Sequence, residues 1–555
     1  MITQGLKLKA MVSFKNWSRS FFSRSIEPYY YNAAAGSYDP YDPYADNYTL
    51  ERIGTSGTDH ITESNIEKAG DRTVVFQASL EWQRQFNLHN LSAMFLYNQR
   101  EYRNVILPTR NQGISGRFTY DYGQRYLFEA NFGYNGTERL ASGHRFEFFP
   151  SFAIGWVISN EKFFEPLNDK ITNLKLRASW GLVGNDETGG DASPHFIYLN
   201  DVTLGNMGYT TGVDMNKTLN GPTVNRYGNI EATWERAEKV NIGLDLELFS
   251  KLSLVVDIFQ DNRSNILMER QKWASFLGYV GSKPWASIGK VKSKGIEIAM
   301  NYSENLNKDL TLDLRGTFTY NIAKLIYRDE PTYSNEWQQH EGKSLNGTWG
   351  YVAERLFVDQ ADIDNSATQN LGSIVLPGDI KYKDLNNDGK IDATDQCELS
   401  PYGTTPRIMY GVGATLKWKK FDIGVFFQGA AKRTISINDG IHPFGEMKAN
   451  VLKFIADDYW SESNPNPEAS YPRLSPTAQN RSENNNAASS YWLRDGSYVR
   501  LKNAEIGYTF GFGRVYVTGN NLLTFSPFKH WDPEVEHWYS YPMSRTVNVG
   551  VQFNF

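Results

Sequence analysis

The sequence predicts an all-β chain, a transmembrane antiparallel β-barrel, on three observations. Long segments alternate apolar and polar residues, aromatic residues gather toward the ends of those segments, and tight turns alternate with long polar loops. Alternation comes first. Leu6, Leu8, Ala10, Val12 and Phe14 face one way and Lys7, Lys9, Met11, Ser13 and Lys15 the other. Phe76, Ala78, Leu80 and Trp82 alternate with Gln77, Ser79, Glu81 and Gln83; Leu174, Leu176, Ala178 and Trp180 alternate with Lys175, Arg177 and Ser179. Successive side chains on a strand point to opposite faces, so each segment has one oily and one wet side. A soluble sandwich alternates as well. Length decides: ordinary strands average about five or six residues, a tilted membrane span needs about nine to eleven, and these segments reach the longer figure.

Aromatic residues make up 14% of the chain, with 33 Tyr, 32 Phe and 14 Trp. Membrane barrels use such residues as girdles at both interfaces. Trp17, Tyr97, Tyr120, Tyr122, Tyr126, Tyr134 and Trp156 are placed near turns on this reading. Tyr122 to Tyr126 reads as a tight turn, and 435–491, rich in Asn, Ser and Pro, as a long extracellular loop. We count about 18 strands, within the range of large barrels. Their centres are Met11, Thr49, Ser79, Phe95, Phe118, Phe132, Ile154, Ala178, Ile197, Gly243, Val256, Ile298, Leu314, Tyr351, Gly413, Val425, Ile506 and Val549, with Val517 as a further candidate. In the last strand Val547, Val549, Val551, Phe553 and Phe555 alternate with Asn548, Gly550, Gln552 and Asn554.

Composition excludes several classes. No run of about eighteen apolar residues occurs, so a transmembrane helix is excluded. A net charge of −5 over 555 residues gives no reason to expect nucleic acid. The single Cys397 cannot form an internal disulfide. The first residues lack a positive stretch followed by an apolar one, so no signal peptide is read. No HExxH spacing, nucleophile elbow or phosphate-binding loop appears, and no enzyme is expected. His530 and His537 flank an acidic stretch read as a polar loop at the barrel rim. Asp257 and Asp261 fall on one strand face, read as the lumen.

One motif carries metal chemistry. Within 378–400, Asp384, Asn386 and Asp388 supply side-chain oxygens at positions 1, 3 and 5, Gly389 permits the bend, and Lys390 can lend its carbonyl. Asp392 and Asp395 follow at positions 9 and 12, matching a calcium loop. Position 12 is Asp rather than Glu and no helices flank the loop, so the expectation is an isolated DxNxDG site with a structural Ca²⁺. The other reading is a turn held by its own Asx hydrogen bonds. Tyr29 to Tyr31, Tyr38, Tyr41, Tyr44, Trp285, Trp337, Trp349, Tyr491 and Trp492 fall at or near loops, where ligand contact and packing are equally open.

Several linked segments resemble the SusC/RagA-like TonB-linked outer-membrane receptors. They are Gly113 to Tyr122 with Tyr126 to Glu138, Phe149 to Trp156, Leu174 to Asn185, Trp234 to Asp245, Gly289 to Glu297 and Tyr498 to Asn503. Their ordered succession spans essentially all of 1–555. The resemblance implies the barrel portion of a nutrient importer for glycan or peptide oligomers in the outer membrane of a Gram-negative cell. It implies a SusD-type surface lipoprotein as lid and the TonB–ExbB–ExbD complex as energy source, acting through a plug. No plug or TonB box is read here. Large outer-membrane transporters close at 22 strands, so the chain is expected to be an incomplete portion of such a barrel, a piece of a longer polypeptide or one completed by another chain. The alternative is a passive porin-like or structural barrel. Phe553 and Phe555 resemble the terminal aromatic signal read by the outer-membrane assembly machinery.

Overall fold

The computed structural model describes the chain except for residues 1–3, 35–48, 105–107, 188–195, 274–275, 277–282, 439–442, 444–449, 476–482, 538 and 555. Phe555, Tyr38, Tyr41 and Tyr44 therefore lie outside the described residues. The long elements are strands; among the described residues no helix is long and apolar enough to cross a membrane. The first eight are β1 (Leu6–Ser25), β2 (Thr62–Phe86), β3 (His89–Arg103), β4 (Thr109–Tyr122), β5 (Tyr126–Thr137), β6 (Phe146–Val157), β7 (Ile171–Asn185) and β8 (Glu235–Leu248). Then come β9 (Leu252–Glu269), β10 (Trp285–Asn307), β11 (Leu310–Tyr327), β12 (Ile408–Trp418), β13 (Phe421–Ala431), β14 (Tyr498–Phe510), β15 (Gly513–Phe525) and β16 (Thr546–Phe553).

All sixteen form one antiparallel sheet in which every strand pairs with its neighbours in chain order. Alternation fixes the register. Ile242 lies opposite Ala178 on β7 and Ile258 on β9, and Ile258 lies opposite Ile296 on β10. The intervening Gly243 lies opposite Arg177 and Asp257. Across these strands one face is thus apolar and the other mainly polar. A slip by one residue would exchange them, so the pairing is strongly specified. Tyr122 to Tyr126 is the tight turn expected: Gly123 (φ 59°) and Gln124 (φ 55°) both take the left-handed backbone and, with Arg125, join the twisted strands in three residues.

Among the described residues the large sheet has sixteen strands, where about eighteen and one further candidate are expected. Thr49 lies outside any strand, beside a short hairpin pairing Tyr31–Ala33 with Leu50–Arg52. Ile197 sits in a turn and is fully buried, and Tyr351 makes an isolated bridge to Ser489. The strands also run longer than a span requires: β2 has 25 residues and β10 has 23. Trp17 and Tyr97 consequently lie inside strands rather than near turns. Trp17 falls on the polar face opposite Asp71, and Tyr97 packs at a tilt against Phe76 on the apolar face. Tyr122, Tyr126 and Trp156 do line a turn end, where His89 packs 4.9 Å from Tyr122.

Candidate functional site: the loop-built mouth and the inner wall

In a sheet that runs back and forth, alternate connections lie at the same end. At one end the connections are tight: 87–88, 123–125, 249–251, 308–309, 419–420 and 511–512, with 158–170 the longest. At the other end lie 26–61, 186–234, 328–407, 432–497 and 526–545, together with 104–108, 138–145 and 270–284. Three of these long connections are folded rather than loose. Leu356, Ile380, Ile391, Ile435, Ile437, Ile455, Trp492 and Phe528 bury together in one core built from 328–407, 432–497 and 526–545. Each such side chain, fully buried, contributes about 1.5–3 kcal/mol.

Short ladders pair Leu356 with Ile380 and Ile435 with Arg494 within this core, and buried polar side chains add further ties. Asp379 is fully buried. Its Oδ1 lies 2.6 Å from Arg473 Nε and accepts a hydrogen bond from Asn485 Nδ2 at 2.8 Å, and Leu376 N donates to its Oδ2 at 2.9 Å. Burial outweighs these partners and pushes the Asp379 carboxyl above its ordinary range. Asn484 Nδ2 donates to Ile380 O at 2.8 Å, and its Oδ1 accepts from Gln369 Nε2 at 2.6 Å. The Asn- and Ser-rich composition of 435–491 pointed to a polar loop. Its asparagines are instead partly inside, serving as backbone partners.

A second tie fastens the last long connection to the wall. Arg433, buried between strand and loop, donates to Thr404 O at 2.6 Å, to Val535 O at 2.5 Å and to Pro533 O. Arg500 on β14, 2% exposed, pairs with Asp532 and lies 3.3 Å from Glu534. His530 packs its ring 4.2 Å from Phe454. The stretch 531–536 is therefore an anchored strap, a feature with no local signal because its partners Arg500 and Arg433 stand 32 and 100 residues upstream in the chain.

At the rim, Arg355 holds Asp362 in a two-pronged pair at 2.5 and 2.9 Å. That guanidinium, aided by the Val358 N–H and Lys381, lowers the Asp362 carboxyl to about 2. A depressed carboxylate stabilises the fold fully above its unfolded value of about 3.9 and loses that contribution as pH falls toward the folded value. We expect Asp362→Asn to remove about 1–2 kcal/mol at neutral pH, after allowing for the solvent reaching Arg355. The difference from the unchanged chain should vanish as pH falls from about 4 to about 2. Urea titrations followed by tryptophan fluorescence at both extremes check this.

The residues of the calcium pattern fall in one turn. Asp384 Oδ2 accepts from Gly389 N at 2.9 Å, Asn386 Oδ1 from Asp388 N at 3.0 Å, and Asp388 Oδ1 from Lys390 N at 2.9 Å. Asp392 caps Thr394 N at 2.8 Å, and the fully buried Asp395 turns its two oxygens on Leu385 N and Asp392 N. Ile391 is fully buried in the mouth core. Among the described residues no three acidic, His or Cys side chains converge as a metal cage. Asp384 Oδ1 is buried with no hydrogen-bond partner. It is the one orphaned carboxylate oxygen of the loop.

The aromatic residues of the loops are mostly engaged in packing. Trp492 is buried, Trp349 stacks on His340 at 3.8 Å, and Trp337 Nε1 donates to Thr394 O at 2.9 Å. Trp285 packs against a second core formed by Leu140, Phe149, Ile197, Ala232 and Trp234. Tyr29 to Tyr31 remain exposed, with the Arg52 guanidinium 4.3 Å from the Tyr29 ring centre.

Below the mouth the polar face of the sheet carries ion pairs strand to strand. Arg177 on β7 binds Asp257 on β9 through two 2.7 Å hydrogen bonds and Asp245 on β8 at 3.1 Å. Asp257 and Asp261 do share this face, as expected. Arg514 on β15 joins Asp422 and Glu505, and Arg117 on β4 meets Glu129 on β5 at 2.7 Å. The opposite face exposes Phe76, Phe95, Ile154, Ile242, Ile258, Val412, Ile506 and Val549. Water-loving on one side and lipid-loving on the other, with a folded mouth at one end, this is the wall of a membrane barrel.

Residues 4–522 match the family described as TonB dependent receptor-like, beta-barrel, and the chain belongs to it. TonB-dependent receptor P3 of Formosa agariphila is 25% identical over 89% of this chain and 53% of its own length. TonB-dependent receptor SusC of Bacteroides thetaiotaomicron is 27% identical over 80% of this chain and 44% of its own. The chain thus spans about half the length of these relatives. Among solved structures, the RagAB peptide importer in its open-open state covers the whole chain with 59% of its own length, at a TM-score of 0.72 and 19% identity. At that identity the likeness is one of fold.

Proposed function

We propose that the chain is the barrel wall and outer mouth of an outer-membrane importer that takes up glycan or peptide oligomers. The observation that carries this reading is the mouth itself. A passive pore needs only a lined hole, whereas here three long connections fold around their own core, the last of them strapped to the wall by the buried Arg500. Membership of a family of SusC-like outer-membrane transporters supports it. A surface lipoprotein lid docked on the mouth and energy supplied through TonB belong to the same proposal, as does the outer membrane of a Gram-negative cell as its place. The wall holds and guides; no covalent chemistry is assigned to it. Deleting the coding region in its native host should abolish growth on one class of oligosaccharide or peptide oligomer while growth on the monomers continues. Discharging the proton gradient should stop the same uptake. Unchanged growth on every oligomer, or uptake indifferent to the gradient, would favour the passive porin-like barrel.

We also propose that the loop from Asp384 to Asp395 binds Ca²⁺ in a structural role. The orphaned Asp384 Oδ1 supports this, since a buried acceptor without a donor is unfavourable unless an ion or water meets it. Asn386, Asp388, the Lys390 carbonyl and Asp392 would complete the oxygen set. Calorimetry on the folded chain should detect one site at millimolar calcium or tighter, lost in Asp384→Asn. Heat absent from the unchanged chain would refute it.

A further inference from the structure

We propose that a recess on the inner wall, just beneath the mouth, recognises ammonium groups carried by an oligomeric ligand. This rests on the importer reading and names a substrate chemistry for it. The recess, about 860 Å³, lies on the polar face across β7 to β11, with Leu345 from the connection 328–407 also at its edge. Its floor is Phe259 on β9, which lies opposite Gly295 on β10. A Cβ at Gly295 would stand 2.6 Å from Phe259 Cζ, so the glycine is what lets the ring lie against the neighbouring strand.

Two carboxylates flank that ring with acceptor capacity to spare. Asp261 has its side chain 16% exposed; its Oδ2 meets Arg263 at 3.5 Å and Lys239 at 3.9 Å. Its Oδ1 is buried and has no hydrogen-bond partner. Arg263 is committed further, to Glu235 at 3.4 Å. Glu297 is exposed in the same recess and makes no ion pair or hydrogen bond among the described residues. Three acids therefore face two cations, and both cations are turned on acids already. A buried acceptor seeks a donor, excess negative charge favours a cation, and an aromatic face attracts one. An ammonium group answers all three.

Spacing makes the ligand an oligomer. Glu297 lies opposite Asp257 and Asp261 opposite Ser293, which separates the two carboxylates by four residues, about 13 Å along the strands. Phe259 lies between them. A chain with repeated amino groups fits that separation, and two sources supply one: a lysine-rich peptide or an amino-sugar oligomer.

The test uses the full chain purified in detergent, with a heat-shifted gel band as proof of folding. Calorimetric titrations would use trilysine, fully deacetylated chitotriose and neutral maltotriose at one ionic strength. The expected result is binding of one or both ammonium oligomers and none of maltotriose. The bound oligomer identifies the source. Binding should weaken at least tenfold in the folded double variant Asp261→Asn, Glu297→Gln and severalfold in Phe259→Leu. Failure of both ammonium oligomers to bind, equal binding of maltotriose, or undiminished affinity in the double variant would overturn the proposal. The growth phenotype on deletion does not depend on these outcomes, so a failure here and a failure of the importer reading are told apart.

Discussion

Ile242→Arg is expected to destabilise the barrel by about 2–4 kcal/mol, the cost of a cationic side chain at mid-depth on a lipid-facing strand. Ile242 is 59% exposed at the middle of β8, and its cross-strand neighbours are Ala178 and Ile258. Nothing there pairs with a charge. The adjacent Asn241→Arg is the control. Asn241 lies on the polar face opposite Ser179 and Phe259, its Oδ1 accepting from Arg177 Nη1 at 3.4 Å; an added cation there is hydrated, and its effect should stay below about 1 kcal/mol. Folding yield into lipid vesicles, read by the heat-shifted band and by urea titration, separates the two. Similar losses for both would mean that the sheet has no lipid face.

Arg473→Ala is expected to cost the mouth about 3–5 kcal/mol, because it strands a buried carboxylate. Asp379 has no exposure, and Arg473 is its charged partner at 2.6 Å. Its acidity gives the sign of the pH dependence. The folded carboxyl sits above its ordinary value because burial disfavours the charge. A raised carboxyl favours the fold below its unfolded value and loses that advantage as pH rises through the folded one. Without Arg473 the disadvantage at neutral pH grows, and acidification should relieve it by protonating Asp379. The loss should therefore be largest at neutral pH and shrink in acid. Limited proteolysis of 328–407 and 432–497 at the two pH values measures it, with the barrel band unchanged. Equal cleavage of variant and unchanged chain at neutral pH would contradict the role given to the pair.

The wall was legible in the sequence and the mouth was not, for one physical reason. A strand writes its environment locally: the alternation in Leu174 to Trp180 carries the same message whatever lies elsewhere in the chain. Sixteen of the nineteen proposed centres are strands of the sheet for that reason. The three that are not, Thr49, Ile197 and Tyr351, stand in short stretches without that alternation, such as the unbroken apolar run Phe196 to Leu199; Ile197 and Tyr351 are buried in loop cores instead of facing lipid. The mouth depends on distant partners. Asp379 reaches Arg473 and Asn485, 94 and 106 residues away, and Arg433 reaches Pro533 across 100. No spacing rule predicts those pairs. The DxNxDG turn was found because its partners are local, and the recess at Asp261 was missed because it is assembled from five strands.

The central claim is that a single polypeptide face meets lipid along the whole sheet. Spin labels at consecutive positions from 240 to 246, in a chain whose Cys397 has been replaced by Ser, test it most directly. Oxygen dissolved in the bilayer should reach labels at 240, 242, 244 and 246 and be depleted at 241, 243 and 245, while a water-soluble relaxant should give the opposite profile. A flat profile, or the two sets exchanged, would contradict a barrel wall with Ile242 outward and Arg177, Asp245 and Asp257 inward.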